Sequence, residues 1–234
     1  MTQHTNQYGQ PVGAPLPEWQ SRSWPAYETF TGHYCRLEPL SAERHGRELY
    51  AAYAQASDGL DWTYMFAEPF NDEEAYLAYA SKLEQGRDPM HFAVIDLQTE
   101  RAVGTLALMR IDTTHGSIEI GHVAFSPLLK QTRMATEAHY LLMRYALEQL
   151  GYRRYEWKCD SCNQPSRQAA LRLGFQFEGT FRQAIVYKGR SRDTCWFSII
   201  DGEWPQLKQA FERWLAADNF NEDGTQRAKL QALR

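Results

Sequence analysis

Cysteine is scarce: Cys35, Cys159, Cys162 and Cys195 are the four in a chain of 234 residues. That density excludes a disulfide scaffold. No run of about 18 apolar residues occurs, so no membrane-spanning helix is expected. Residues 1–20 lack a basic stretch followed by an apolar one, so no secretory signal is read there and the chain is expected in the cytoplasm. Positive charge is not in excess. The 25 Lys and Arg face 29 Asp and Glu, leaving a net charge of −4. A chain-wide footprint for nucleic acid is therefore missing, and neither nucleic acid nor membrane is an expected partner. Internal repeats and low-complexity tracts are absent as well.

What is present is a globular composition. Hydrophobic residues are 43% and charged residues 23%, both near the mean for folded domains. A chain of this size buries about 72% of the surface it exposes when unfolded. Aromatics reach 13%, with seven Trp. Residues 1–33 carry Pro11, Pro15, Pro17 and Pro25, which resist helix, yet also Trp19, Trp24, Tyr27 and Phe30. They read as an extended arm, loose over its first dozen residues and then docked on the main domain or on a second copy of the chain. Residues 34–218 read as one domain, and 219–234 as a polar tail. The Trp-rich end segments are compatible with a homodimer.

The periodicity predicts a mixed α/β sheet flanked by helices. A strand at 34–38 ends at Pro39, and Ser41 caps a helix reaching residue 56. A second helix covers 72–85 behind Asn71 or Asp72. Between the two lies an aromatic loop, Asp61 to Phe66. Strands at 92–95, 103–111 and 117–125 form an antiparallel meander. A helix from Met134 to Leu150 follows, closed by Gly151. Next come a strand at 154–158, a short helix with Pro165 in its first turn and Gly174 at its end, strands at 176–187 and 194–200, and a final helix from 205 to 217.

Three short blocks lie in order on these elements: Glu119-Ile120-Gly121-His122 on a strand, Ala135-Thr136-Glu137-Ala138 opening a helix, and Asn163, Ser166 and Leu173-Gly174-Phe175 around the next helix. They resemble the GNAT superfamily of acyl-CoA-dependent N-acetyltransferases, and most of all its RimJ/RimL-like branch. The resemblance spans residues 34–200. It implies a sheet with mainly antiparallel N-terminal strands, a splayed central strand pair, and acetyl-CoA as co-substrate without a metal. The acceptor it implies is a primary amine, either a protein N-terminus or a small molecule. By the same resemblance, Val123, Ala124 and Phe125 pair with the pantetheine amides as an added strand. Lys130, Gln131, Thr132, Arg133, Met134, Ala135 and Thr136 form the phosphate-binding junction at a helix N-terminus. Asn163 and Arg167 complete the cofactor set. The family loop normally carries a Gly where this chain has Arg133. Either the guanidinium binds a phosphate, or tight cofactor binding has been lost.

Three residues are candidates for catalysis. Glu119 is either a general base with a pKa raised by burial or a structural carboxylate. His122, set by strand alternation on the opposite face from Glu119, is either a base or a core histidine. Ser166 is either a proton donor to the leaving thiolate or a first-turn hydroxyl. The Tyr that many family members use as the acid is replaced by Ala170. Trp62, Tyr64 and Phe66 either line the acceptor pocket or pack in the core. Two other readings stand beside acetyl transfer: a non-catalytic acyl-CoA-binding module, and a thiol redox protein using Cys159 and Cys162.

Overall fold

The computed structural model describes residues 4–234. Its centre is an eight-stranded sheet in the order β3 (Phe30–Thr31), β4 (Cys35–Pro39), β5 (Met90–Asp96), β6 (Arg101–Asp112), β7 (Ser117–Phe125), β8 (Arg154–Asp160), β10 (Arg190–Ile200), β9 (Gln176–Tyr187). All neighbours are antiparallel except β7 and β8, which run parallel. The expected meander is β5–β6–β7. A two-residue turn at Lys188-Gly189, both at positive φ, joins β9 to β10, so β10 starts four residues earlier than the sequence suggested.

Alternation along β5 divides the core. Met90, Phe92 and Val94 face a large cluster shared with α3 (Arg133–Arg144), α4 (Gln164–Leu173) and α5 (Trp204–Leu215). Ala93 and Ile95 face α1 (Ala42–Tyr53) and α2 (Glu73–Glu84), with Leu49, Tyr76 and Ala80. The caps are local chemistry. The Ser41, Asp72, Thr132 and Asn163 side chains each accept a backbone N–H of the first turn of α1, α2, α3 and α4. Gly174 closes α4 in the left-handed conformation at φ 107°, which favours Gly.

The helix expected over 134–150 is α only to Arg144. Tyr145–Gln149 form a π turn, which carries the buried Tyr145 hydroxyl to the N-terminal arm, where it accepts the Ala26 N–H at 2.8 Å. The arm docks on its own domain. Trp19 Nε1 donates to Thr114 O at 2.9 Å and Tyr152 Oη to Ser23 O at 3.1 Å. Ahead of it, His4–Thr5 (β1) pairs with Pro11–Val12 (β2), a hairpin where loose chain was expected. The segment from Asn219 is also not a free polar tail. It folds back with Phe220 and Leu230 buried, and Gln226 Oε1 accepts Trp214 Nε1–H at 2.8 Å. Its apolar residues are too few for a periodicity, so the sequence pattern did not reveal the docking.

Candidate active site

The β7–β8 ladder runs from Ser117–Arg154 to Ile120–Trp157 and then stops. Beyond it β7 continues for five residues beside no β8 partner, leaving an open strand edge. There the two strands enclose a cleft of about 1500 Å³. The mouth of α3 lies at its side. Val123, Ala124, Phe125, Lys130, Gln131, Thr132, Arg133, Ala135, Thr136, Asn163, Ser166, Trp62 and Tyr64 all line it, so most of the residues expected at the cofactor and acceptor sites converge there.

Three expected residues do not. Met134 packs against the core and Arg167 turns to Ser161 O and Gln164 Oε1. Each is one position, about 100° around its helix, from neighbours that do line the cleft, Arg133 and Ala135 for Met134 and Ser166 and Gln168 for Arg167. Phe66 lies edge-on to Tyr187, with ring centroids 5.7 Å apart.

The loop entering α3 has its left-handed residue at Gln131 (φ 61°), while Arg133 is already helical. The Gly position of the family pattern therefore needs no positive φ here. The Arg133 guanidinium lies over the Tyr34 and Phe220 rings, at 4.6 and 4.7 Å. Lys130, expected beside it in the phosphate-binding junction, pairs with Asp61 across the cleft mouth. Tyr64 Oη reaches the other lip, donating to Cys162 O at 3.1 Å. Arg172, which carried no signal in the sequence, donates to Thr136 Oγ1 at 3.0 Å and lies over Trp214. Among the described residues, neither Arg133 nor Arg172 has a carboxylate within 4 Å. The cleft end formed by α3, Trp214 and Phe220 thus carries two uncompensated guanidiniums.

The catalytic candidates separate. Glu119 is buried outside the cleft, with its carboxylate 2.7 Å from Lys158 Nζ and 3.3 Å from Arg110 Nε. Burial pushes its carboxyl up, against the pull of Lys158 and Arg110. His122 is not on the face opposite Glu119. Thr105 pairs with Ala124 but Ala107 with Gly121, so His122 and Val123 together face Leu106. This is a β-bulge, with His122 at φ 49°, and it breaks the alternation the sequence reading assumed. His122 turns to the α1/α2 side, where its Nδ1 lies 3.2 Å from His91 Nε2. Burial depresses both imidazoles: His91, with the His122 charge as a second cause, to about 4, and His122 below its ordinary value. His91 was missed because nothing local marks it; only the bulge brings the two rings together.

A small pocket of about 10 Å³ adjoins the pair, and Tyr53, Trp62, Met65 and Ala124 line both it and the cleft. Tyr53 Oη donates to Ala124 O at 3.0 Å. On the opposite wall, Ser166 Oγ accepts Trp157 Nε1–H at 3.0 Å, so its own hydrogen remains to be donated, with the Cys159 sulfur also within its reach. Asn163 Oδ1 is engaged by Ser166 N at 3.1 Å, so its amide N–H groups are the ones available. Cys159 is buried, and burial pushes its thiol up to about 11. A thiol held protonated in this way is a poor redox nucleophile.

Residues 35–176 match the model of the acetyltransferase (GNAT) domain. The chain belongs to the GNAT acetyltransferase family. A crystal structure of a GCN5-related N-acetyltransferase from Brucella melitensis is 47% identical, covers 93% of this chain and 99% of that one, and superposes with a TM-score of 0.92. A chain described as a probable GNAT-family acetyltransferase from Chromobacterium violaceum ATCC 12472 is 43% identical over 84% of this chain and 98% of its own, with a TM-score of 0.77. The uncharacterized N-acetyltransferase p20 of Bacillus licheniformis is 29% identical over 60% of this chain and 80% of its own length.

Proposed function

We propose that this GNAT protein transfers an acetyl group from acetyl-CoA to a primary amine by direct attack in a ternary complex. The observation that carries the reading is the divergence of β7 and β8 beside the N-terminus of α3. It supplies in one cleft an unpaired strand edge for amide groups, free first-turn N–H donors for phosphate, and the two guanidiniums of Arg133 and Arg172 for further anionic charge. These donor types fit a pantetheine arm and its nucleotide. When bound, acetyl-CoA supplies the activated acetyl thioester.

The protein's own groups then divide the proton work. His122, held neutral by burial and placed by the bulge in the small pocket that adjoins the cleft, takes the proton lost by the amine as the carbon–nitrogen bond forms. His91, in hydrogen-bond contact, passes or shares that proton. As the carbon–sulfur bond breaks, the Ser166 hydroxyl donates a hydrogen bond that stabilises the departing thiolate, which takes its proton from solvent, while His122 returns to neutral by losing its proton to solvent; no residue takes the acid position that Ala170 leaves empty. Backbone N–H groups of the bulge polarise the carbonyl. In this assignment Glu119, ion-paired to Lys158, is a structural carboxylate. The RimJ/RimL-like resemblance makes peptide N-termini one acceptor class and small amines the other.

Calorimetric titration with acetyl-CoA, followed by an amine screen, tests the reading. Micromolar binding and amine-dependent release of free CoA thiol are expected. Absence of binding up to about 1 mM, near −4 kcal/mol, would overturn it. His122→Ala is expected to lower kcat by about 10²-fold or more, the scale of general-base loss, with acetyl-CoA affinity retained.

A further inference from the structure

The face of β8 and β10 that looks away from the α3 core carries two arginines without counter-charges. On this face Glu119, Glu156 and Glu178 are matched by Arg110, Lys158 and Arg154. Lys158 bridges Glu119 and Glu156 at 2.7 Å, Arg110 meets Glu119 at 3.3 Å, and Arg154 meets Glu156 and Glu178 at 2.6 Å. That network is closed and balanced. Arg192, one alternation from Thr194 on the same face, stands outside it. Only 8% of Arg192 is exposed. Its Nε donates to Thr194 Oγ1 at 3.1 Å, and among the described residues no carboxylate lies within 4 Å of it. Its two terminal nitrogens have no hydrogen-bond partner there.

Asp160 faces the same region, but its oxygens are occupied by Tyr187 Oη and Cys162 N, both at 2.8 Å. Arg190 lies nearby, also without a carboxylate within 4 Å. The Arg190 and Arg192 guanidiniums are 5.2 and 5.8 Å from the centroid of the Tyr187 ring. The Arg192 guanidinium uses one of its five donors within the protein, and its planar fork matches a carboxylate.

The position connects this cation pair to the reaction. Arg190 Nη2 donates to Thr63 O and Lys188 Nζ to Trp62 O, both at 2.8 Å. Trp62 and Thr63 are walls of the cleft, and Trp62 also lines the pocket at His91 and His122. The hairpin that carries Arg190 and Arg192 is thus held directly against the segment that walls both the cleft and the His91–His122 pocket.

We propose that the acceptor is an amine that also bears a carboxylate, and that Arg192, with Arg190 at the rim, binds that carboxylate. The inference rests on the acetyl-transfer reading and adds the substrate class. The test is steady-state kinetics with matched pairs, phenylalanine against phenethylamine and β-alanine against ethylamine, with phosphoethanolamine as a phosphate-bearing third arm. The carboxylate member of each pair is expected to be favoured about tenfold or more in kcat/KM, mainly through KM. In Arg192→Gln that ratio falls below about twofold, while calorimetry shows acetyl-CoA still bound. Arg190→Gln, at an exposed position that tolerates replacement, lowers the ratio a few-fold and keeps the test decisive should Arg192→Gln fail to fold. Turnover without a carboxylate preference, a preference for phosphoethanolamine over β-alanine, or an unchanged ratio in both variants overturns this inference alone. No turnover of any amine overturns the acetyl-transfer reading and this inference with it.

Discussion

Glu137 shows how a single side chain joins distant parts of the fold. Its carboxylate lies in α3, is 1% exposed, and accepts the N–H groups of His33, Tyr34 and Cys35 at 2.6 to 2.8 Å. A Cβ on Gly32 would lie 2.3 Å from its carboxyl carbon, so Gly is needed for the close approach. The Glu of the Ala-Thr-Glu-Ala block is thus a structural anchor for the turn into β4. Glu137→Ala leaves three N–H donors without an acceptor and is expected to cost about 3 kcal/mol or more, read as a lower denaturant midpoint. The residues facing the cleft were legible where a block of sequence marked them, as at Thr136, Asn163 and Ser166. Glu119 and His122 were marked too, but their roles depend on which face each occupies. Alternation is a local rule, and the bulge that breaks it is set by pairing with β6. His91 and Arg172 had no local mark and acquire meaning only through tertiary contacts.

At the scale of elements, the loop between α1 and α2 acts as a strap across the cleft. Asp61 pairs with Lys130, Tyr64 Oη with Cys162 O, and the carbonyls of Trp62 and Thr63 with Lys188 and Arg190. Its composition showed an aromatic loop, but its anchors lie on two other loops and a hairpin, far apart in sequence. The double variant Asp61→Asn, Tyr64→Phe is expected to speed release of CoA several-fold in stopped-flow displacement. Unchanged release would show that the strap does not gate exchange. Most helices and strands were legible because their stripes and caps are local. The π turn at Tyr145–Gln149 was not, because the contact that favours it is the arm's Ala26, more than a hundred residues away.

For the whole molecule, the segment after α5 completes both the core and the cleft. Leu230 is fully buried, and Leu230→Ala is expected to cost about 2–4 kcal/mol in chemical denaturation. Phe220→Ala removes one of the two rings beneath Arg133 and is expected to weaken acetyl-CoA binding severalfold by calorimetry. Global stability also carries a pH signature. Burial lowers His91 from 6.5 to about 4, and His139, with the Arg172 charge adding to burial, from 6.5 to about 3. Between those values and 6.5 the unfolded chain binds protons that the folded chain excludes. The associated stability is full above pH 6.5 and is lost as pH falls. His91 alone accounts for about 3 kcal/mol across that window. The denaturant midpoint is expected to drop steadily from pH 7 to pH 4.5, and a flat profile would contradict the burial of these rings.

The bulge in β7 has a genetic consequence. A strand with one surplus residue can absorb the loss of a codon. Deleting His122 or Val123 would let the ladder to β6 close without a break, keeping Gly121 opposite Ala107 and Ala124 close to its present register. The shortened chain is expected to fold, yet would lack the paired imidazoles. A deletion scan would therefore mark this one site as dispensable for folding and indispensable for turnover, a distinction that substitution of any single neighbour would blur.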